Sequence, residues 1–194
     1  MSRLEDIKKF YELMEMLRSK VEKEKYLRDP QAKKGLPERG VYFFFEPGEE
    51  RSTSGTGPRI VRIGTHAVSA GSQTTLWKRL RQHKGCTKTG GGNHRSSVFR
   101  KIVGFALMNK YDWLNSDIWG NRGSISKEMK FQELPVEREV SNVIRKMPFL
   151  WVEVDDESSK DSDRAYLERN SIALLSNWNR DPIDEPSEDW LGRY

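Results

Sequence analysis

The stretch Gly40-Val41-Tyr42-Phe43-Phe44-Phe45 decides the fold of this 194-residue chain. Its side chains are apolar at consecutive positions, which is typical of a central strand that is covered on both faces. Glu46 to Pro58 is rich in Gly, Ser and Glu and predicts a long hairpin connection, after which Ile60 to Thr65 forms the partner strand. The sequence therefore predicts an antiparallel strand pair, with Tyr42 and Phe44 on the face opposite Val41.

An amphipathic helix is predicted before this strand pair, over residues 3 to about 28. Ser2 and Glu5 have capping-box spacing at its start, and Asp29-Pro30 ends it. Its apolar stripe fits a helix packed on its own domain, and the stripe is too short to exclude the arm of a coiled-coil dimer. We favour the packed helix.

Helical periodicity recurs after the strand pair, together with one further alternating strand. The predicted elements are a helix over 73–83, a helix over about 97–109 with Val98, Ile102, Phe105 and Ala106 on one face, a helix over 135–146 with Pro135 as its first residue, a strand over 149–154, and a last helix that starts within 158–163 and reaches about 177. The stretch 111–134 lacks sustained periodicity and is expected to be an irregular insertion. These elements predict an α/β (α+β) fold in which helices flank a small antiparallel three-stranded sheet.

The chain is long enough to bury one core. We expect an N-terminal helix and connector over 1–36, one main domain over 37–180 with an insertion at about 86–134, and a polar tail over 181–194. The tail shows no terminal element, which leaves open whether the C-terminus is complete.

The charge balance suits a polyanionic partner, although it also fits an ordinary charged surface. Lys and Arg number 34 against 29 Asp and Glu, a formal charge of +5. Cations cluster between Trp77 and Lys101, which favours nucleic acid because phosphate contacts need such a density. The candidate nucleic-acid-binding residues are Lys78, Arg81, Lys84, Lys88, His94, Arg95 and Arg100.

Cysteine and histidine are scarce. One cysteine, Cys86, and three scattered histidines exclude an intrachain disulfide and a structural zinc site of the usual ligand count. The cytoplasm, a reducing compartment, is the expected location. No apolar run approaches the roughly 20 residues that span a bilayer, so membrane insertion is not predicted.

Glu168 interrupts a predicted apolar helix face. Ala165, Ile172 and Leu175 lie three residues before it and four and seven residues after it, so they share its side of the helix. A carboxylate buried there is costly unless it is paired or binds a cation. We rank a metal ligand above the alternative, an ion pair with Arg164 or with another arginine.

Four features follow one another along the chain. They are Gly40-Val41-Tyr42, Arg62-Ile63-Gly64, Arg79 with His83 four residues later on a helix, and Glu168. Their order resembles the GIY-YIG nuclease family, over roughly Gly40 to Asn179.

The resemblance implies one-metal hydrolysis of phosphodiester bonds in DNA, with Mg²⁺ or Mn²⁺ as the cofactor. It implies that Arg79 stabilises charge on the scissile phosphate and that Glu168 is the lone protein ligand of the metal. Tyr42 would contact the attacking water as a candidate general base, provided that nearby cations lower its pKa. An asparagine near the end of the last helix, Asn177 or Asn179, would support the site, although either fits a helix cap.

The chain departs from the family pattern at Arg62, where the second tripeptide of the family begins with tyrosine. Arginine donates hydrogen bonds but cannot act as a base, so Tyr42 and His83 are expected to carry the proton transfer. The imidazole of His83 has a reference pKa that is well matched to neutral pH. His66, two residues after Gly64, is another substitute. Spacing alone fits plainer roles, a core aromatic for Tyr42 and a solvated arginine for Arg79.

Two other classes of function stay open. A nucleic-acid-binding module that keeps the nuclease fold with little or no catalysis fits the missing tyrosine, and a protein-interaction domain would use the N-terminal helix. The loop Gly90-Gly91-Gly92 lacks the ending of a P-loop and fits either a mobile basic loop or plain flexibility. Trp113 and Trp119 fit base stacking or anchoring of the insertion. RNA remains a second substrate class, and the oligomeric state, including a dimer, is open.

Overall fold

The computed structural model describes residues 2–21, 23–121, 123 and 125–194. Two compact units make up the chain: Met1–Arg79 with Met147–Ser187, and Leu80–Lys146 with Glu188–Tyr194. In chain order the described elements are α1 (Arg3–Ser19), β1 (Lys25–Tyr26), β2 (Gly40–Glu50), β3 (Pro58–Gly64), α2 (Leu76–Lys84), α3 (Val98–Lys110), α4 (Lys127–Lys146), β4 (Pro148–Glu153) and α5 (Asp163–Leu175), with short 3-10 helices at His94–Ser96 and Leu191–Arg193. The division into segments 1–36, 37–180 and 181–194 stays a prediction.

The first unit is built on one antiparallel sheet with the strand order β1-β4-β2-β3. The predicted α+β class with an antiparallel sheet is confirmed, but the sheet has four strands where three were predicted. The additional strand is β1, whose Lys25 and Tyr26 pair with Phe149 and Pro148 at the sheet edge. Two residues carry no alternating pattern of their own, so only the pairing with β4 defines this strand.

The core of the first unit lies between α1 and one face of the sheet. Ile7, Tyr11 and Met14 of α1 pack with alternate residues of the central strand, Val41, Phe43 and Phe45. The capping box of Ser2 and Glu5 starts α1 as predicted. Tyr42 and Phe44 alternate to the opposite face of the same strand, where both are fully buried.

The predicted end of α1 at about residue 28 was wrong, because the helix ends at Ser19. The backbone amides of Lys20 and Val21 close the last turn on Leu17 and Arg18. The helical spacing therefore continues for only one further apolar residue, Val21, which packs against the core. Lys25 and Tyr26, which were predicted to be helical, instead pair with β4 as strand β1.

The second unit contains α3 and α4, and both differ from the prediction. Helix α4 begins at Lys127 rather than at Pro135, which lies inside it. Proline removes one backbone donor from a helix interior, yet burial of Glu133 and Val136 on either side holds the helix together. Part of the expected irregular insertion is therefore helical.

The predicted apolar face of α3 points to solvent. Val98, Ile102 and Phe105 are 60%, 48% and 41% exposed, whereas Phe99, Val103 and Leu107 are buried. The physical reason is Arg100, which is fully buried on the inner face and bonded to Glu137. Because this ion pair is buried, the inner face of α3 is not the one that a count of hydrophobic residues predicts. Of the four residues predicted to be buried, only Ala106 is.

The C-terminal segment makes ordered contacts, contrary to the expectation of a tail without a terminal element. Leu191–Arg193 forms a 3-10 turn with Leu191 buried. Earlier in the tail, the Asp184 carboxylate accepts hydrogen bonds from the backbone amides of Ser52, Thr53 and Ser54. No helix among the described residues is both long and apolar enough to cross a membrane.

Candidate active site

Tyr42 and Arg62 lie on the same face of the central strand pair. Tyr42 is paired with Gly64, and Phe44 is paired with Arg62. Directly opposed residues of an antiparallel pair project to the same side of the sheet. This side is opposite to the one that packs on α1.

The two motif glycines permit close approaches that no other residue would allow. A Cβ atom at Gly64 would lie 2.2 Å from Oη and 2.4 Å from Cζ of Tyr42. A Cβ atom at Gly40 would lie 2.4 Å from the carbonyl oxygen of Val152. Glycine inside a strand often marks such an approach, and here it lets β3 lie directly against the Tyr42 ring.

Arg79 of α2 reaches the same tyrosine. Its side chain hydrogen-bonds Tyr42, and the charges of Arg62, Arg79 and Glu168 all act on the phenol. Burial raises the pKa of Tyr42, Arg62 and Arg79 oppose this effect, and the net pKa lies above the ordinary value of 10.0. The phenol is therefore protonated at neutral pH, and the two arginines alone do not make it a base.

Glu168 of α5 lies close enough to contribute to this group. Ser162 caps the helix, and Oε1 of the half-buried Glu168 accepts a hydrogen bond from the backbone amide of Thr65 at 3.1 Å. Of the alternative ion pairs, the one with Arg164 is not formed, because Arg164 binds Asp156 instead, and no ion pair joins Glu168 to another arginine among the described residues. The expected apolar surroundings are only partial, since Ala165 is buried but Ile172 is exposed.

The segment after β3 holds the site together, and its role was missed in the sequence. The Thr65 hydroxyl donates to the Gly40 carbonyl at 2.8 Å, while the Thr65 amide holds Glu168. Nδ1 of His66 bonds the Thr74 carbonyl at 2.7 Å, and Arg164 donates to the His66 carbonyl at 2.7 Å. The threonine directly after the second motif glycine was a signal for the hydroxyl contact with Gly40 only, because the contact with Glu168 is made by a backbone amide.

His66 is neutral at physiological pH. Burial lowers the pKa of its imidazole to about 4, and the charges of Arg164 and Arg39 act in the same direction. With Nδ1 bonded to a carbonyl oxygen, the proton of the neutral ring is on Nδ1. Nε2 is buried and accepts no hydrogen bond from any described residue.

The donor set fits Mg²⁺ or Mn²⁺ but not a cation held by protein ligands alone. Among the described residues no group of three or more His, Cys, Asp or Glu side chains could hold a metal ion. Mg²⁺ commonly binds through one or two carboxylates and keeps several waters beside substrate phosphates. Glu168, oriented by the Thr65 amide, is suited to that mode of binding.

Three predicted site residues have their described contacts elsewhere. His83 is fully buried in the second unit, where Nδ1 lies 2.7 Å from the Ser97 hydroxyl oxygen. The Asn177 side chain accepts a hydrogen bond from Arg3 of α1 at 2.9 Å. Asn179 is exposed, with a backbone φ of 54°. These contacts connect His83 to α3 and Asn177 to α1.

The predicted nucleic-acid-binding residues separate into two groups. Lys78, Arg81 and Lys88 are exposed, and Lys84 is half-buried. The other three residues belong to a buried network in the second unit, in which Arg95 binds Glu133 and both His94 and Arg100 bind Glu137. Trp119 stacks on His94 at 3.9 Å and is buried. It therefore anchors the stretch that was expected to be an irregular insertion. Trp113 is exposed.

The comparison with protein families supports the resemblance drawn from the sequence. The family described as GIY-YIG domain matches the chain over residues 1–194. No curated protein and no solved structure gives a significant match. The match extends over the whole sequence, including the helices of the second unit. The chain belongs to the GIY-YIG nuclease family.

Proposed function

We propose that the chain is a metal-dependent endonuclease that hydrolyses phosphodiester bonds in DNA by a one-metal mechanism. The observation that carries this proposal is the convergence of Arg62, Arg79 and Glu168 on the buried Tyr42 phenol. Two fixed cations and one carboxylate around a hydroxyl suit a reaction in which negative charge develops on a phosphate.

Each side chain then has a separate task. Arg79 and Arg62 bind the non-bridging phosphate oxygens and stabilise the charge that builds there. Glu168 would hold Mg²⁺ or Mn²⁺, which when bound supplies positive charge to the phosphate and lowers the pKa of nearby acids. Tyr42 would act as its phenolate, after its pKa has been lowered and its proton lost to solvent, and would take one proton from the attacking water as the water oxygen bonds to phosphorus. The P–O bond to the leaving oxygen breaks in the same step, and that oxygen takes a proton from solvent. We assign His83 a structural role, since Ser97 engages its Nδ1.

The distribution of charge supports a nucleic-acid partner. The second unit holds 14 of the 34 Lys and Arg residues and 8 of the 29 Asp and Glu residues, a formal charge of +6. The first unit holds the remaining 20 Lys and Arg residues and the remaining 21 Asp and Glu residues, a formal charge of −1. The excess positive charge therefore belongs to the second unit, where Arg81, Lys84 and Lys88 would contact phosphates.

Plasmid nicking tests the proposal. Supercoiled DNA should be cut with Mg²⁺ or Mn²⁺ and not with EDTA, and Glu168→Gln and Arg79→Lys should each reduce the rate by about 100-fold or more. Glu185→Gln and Arg180→Gln, two changes at exposed positions, are the matched controls. Wild-type rates in Glu168→Gln would contradict the one-metal site.

A nucleic-acid-binding module with little or no catalysis is the second candidate. It is favoured by one specific combination, an arginine at position 62 and a Tyr42 pKa above its ordinary value. Salt-dependent DNA binding in EDTA, without cleavage under any metal, would select this candidate over the nuclease.

A further inference from the structure

A cleft of about 770 Å³ lies in the first unit, at the β1 edge of the sheet. Its aromatic wall is the half-buried Trp151 of β4, and four lysines line it: Lys20, Lys23, Lys25 and Lys34. None of these residues belongs to the group around Tyr42.

The cleft begins next to the candidate active site. Trp151 is paired directly with Tyr42 in the register of β4 and β2. The two side chains therefore project to the same face of the sheet, on strands that are about 4.8 Å apart. A nucleic-acid strand whose scissile phosphate is at Tyr42 would meet Trp151 within one or two nucleotides.

The acidic residues of the cleft are already engaged. Glu24 binds Arg18 and accepts the Tyr26 hydroxyl at 2.9 Å. Asp29 accepts the backbone amide of Tyr26 at 3.1 Å. Both carboxylates keep their negative charge in these contacts, and the charge of Asp29 acts on Lys25.

The four lysines form no short ion pair with a carboxylate of the described residues. Across residues 2–21 and 23–35 of the described chain, no carboxylate forms an ion pair with Lys20, Lys23, Lys25 or Lys34. Lys25 donates to the Lys34 carbonyl, and its ammonium lies 5.2 Å from the centroid of the Trp151 ring. Burial lowers the pKa of Lys25, and the charge of Lys34 adds to this effect although Asp29 opposes it. Burial is the largest of these effects, and an anion beside Lys25 would offset it by favouring the charged ammonium.

We propose that the cleft binds one unpaired nucleotide of the substrate strand, with its phosphate on the lysines and its base against Trp151. This inference rests on the proposed function. Stacking on an aromatic ring beside a cationic groove is how proteins hold single strands without sequence preference. Lysine is a flexible point charge, so Lys25 leaves the ring face when a base stacks there and follows the phosphate. A fully paired base cannot reach the ring.

Binding to labelled oligonucleotides in EDTA tests this inference without cleavage. We expect Trp151→Ala to weaken binding of a single strand, or of a duplex with an unpaired flap, by about five-fold or more. Binding of a fully paired duplex should change by less than about two-fold, because its bases stay stacked inside the helix. Trp178→Ala is the matched control, since Trp178 is in the same unit and 81% exposed.

Lys25→Met keeps the length of the side chain and removes its charge. The slope of log K against log salt for the single strand should fall by about 0.7, the value for one phosphate contact. Trp151→Phe keeps an aromatic ring and should give intermediate affinity. Both variants keep the inference testable in case Trp151→Ala does not fold.

The outcomes separate this inference from the proposed function. Equal affinity of wild type and Trp151→Ala for unpaired strands overturns the inference, whether or not the protein cleaves DNA. Equal competition by an acidic peptide of matched charge also overturns it, since the cleft would then be a general anion site. If the protein does not cleave DNA but its binding of unpaired strands still depends on Trp151, the proposed nuclease activity is overturned and the proposed role of the cleft is supported.

Discussion

Gly64 lies so close to Tyr42 that a Cβ atom at position 64 would be 2.2 Å from the phenol oxygen. The Tyr42 ring is fully buried, so it has little room to move away. We expect Gly64→Ala to lower the free energy of unfolding by about 1–3 kcal/mol, as overpacking of a core does. Chemical denaturation measures this change, and plasmid nicking measures the accompanying loss of activity.

A double-mutant cycle identifies the cause. In a Tyr42→Ala background the same Gly64→Ala change should cost little, because the ring that it collides with is gone. Gly40→Ala is the control, since its Cβ would meet the backbone oxygen of Val152 at 2.4 Å. Its cost should be the same with and without Tyr42. Additive costs for Gly64→Ala would show that the strand, and not the ring, requires glycine.

Replacing Arg62 should shift the pH dependence of cleavage. The charge of Arg62 is the largest single effect that opposes the raised pKa of Tyr42. Arg62→Gln removes this charge, so the pKa of Tyr42 rises further. A base must lose its proton before it acts, so the acidic limb of the kcat/KM profile should move to higher pH.

The control for this shift is Arg62→Lys, which keeps the charge and should leave the acidic limb close to that of wild type. Nicking rates at saturating Mg²⁺ over about pH 6 to 10 resolve the two profiles. If the acidic limb of the kcat/KM profile is the same in Arg62→Gln as in wild type, Tyr42 is not the general base.

The sequence predicted the centre of the fold well because the relevant signals are local. A run of apolar residues predicted β2, alternation placed Tyr42 opposite the face that packs on α1, and the order of motifs put Arg79 and Glu168 into one candidate group. The structure brings these side chains together. Their catalytic roles stay predictions.

The differences arise where distant contacts decide the outcome. The buried pair of Arg100 and Glu137 reverses the inner face of α3, and no scan of hydrophobicity anticipates a buried arginine. Strand β1 exists through its pairing with β4. Thr65 holds Glu168 through its backbone amide, a contact that no side-chain pattern encodes.

The carboxylate of Glu137 should make the stability of the second unit sensitive to acid. Burial raises the pKa of Glu137, but the hydrogen bond from His94 and the charge of Arg100 outweigh this effect and hold it below the ordinary value of 4.5. A lowered pKa stabilises the folded state above pH 4.5, and that stabilisation is lost as the pH falls through the folded-state pKa.

Glu137→Gln tests this linkage. At neutral pH it leaves Arg100 buried without its ionised partner, which costs about 3 kcal/mol or more. The difference from wild type should shrink as the pH falls below the ordinary pKa of a glutamate. Glu139→Gln, two residues along the same helix, is the control for urea unfolding at each pH. A difference that does not vary with pH would argue against the linkage.

Asp184 should be required to order the hairpin connection between β2 and β3. One of its oxygens accepts three backbone amides, from Ser52, Thr53 and Ser54, at 2.8–3.0 Å. We expect Asp184→Ala to cost about 2 kcal/mol or more, because hydrogen bonds to charged groups are strong and buried donors are left unsatisfied. Limited proteolysis should then cut within residues 51–57, where the wild type resists. Asp181→Ala is the control, since the side chain of Asp181 is exposed and only its backbone carbonyl contacts Arg3. Equal protease resistance of the two variants would mean that the hairpin keeps its conformation without the tail.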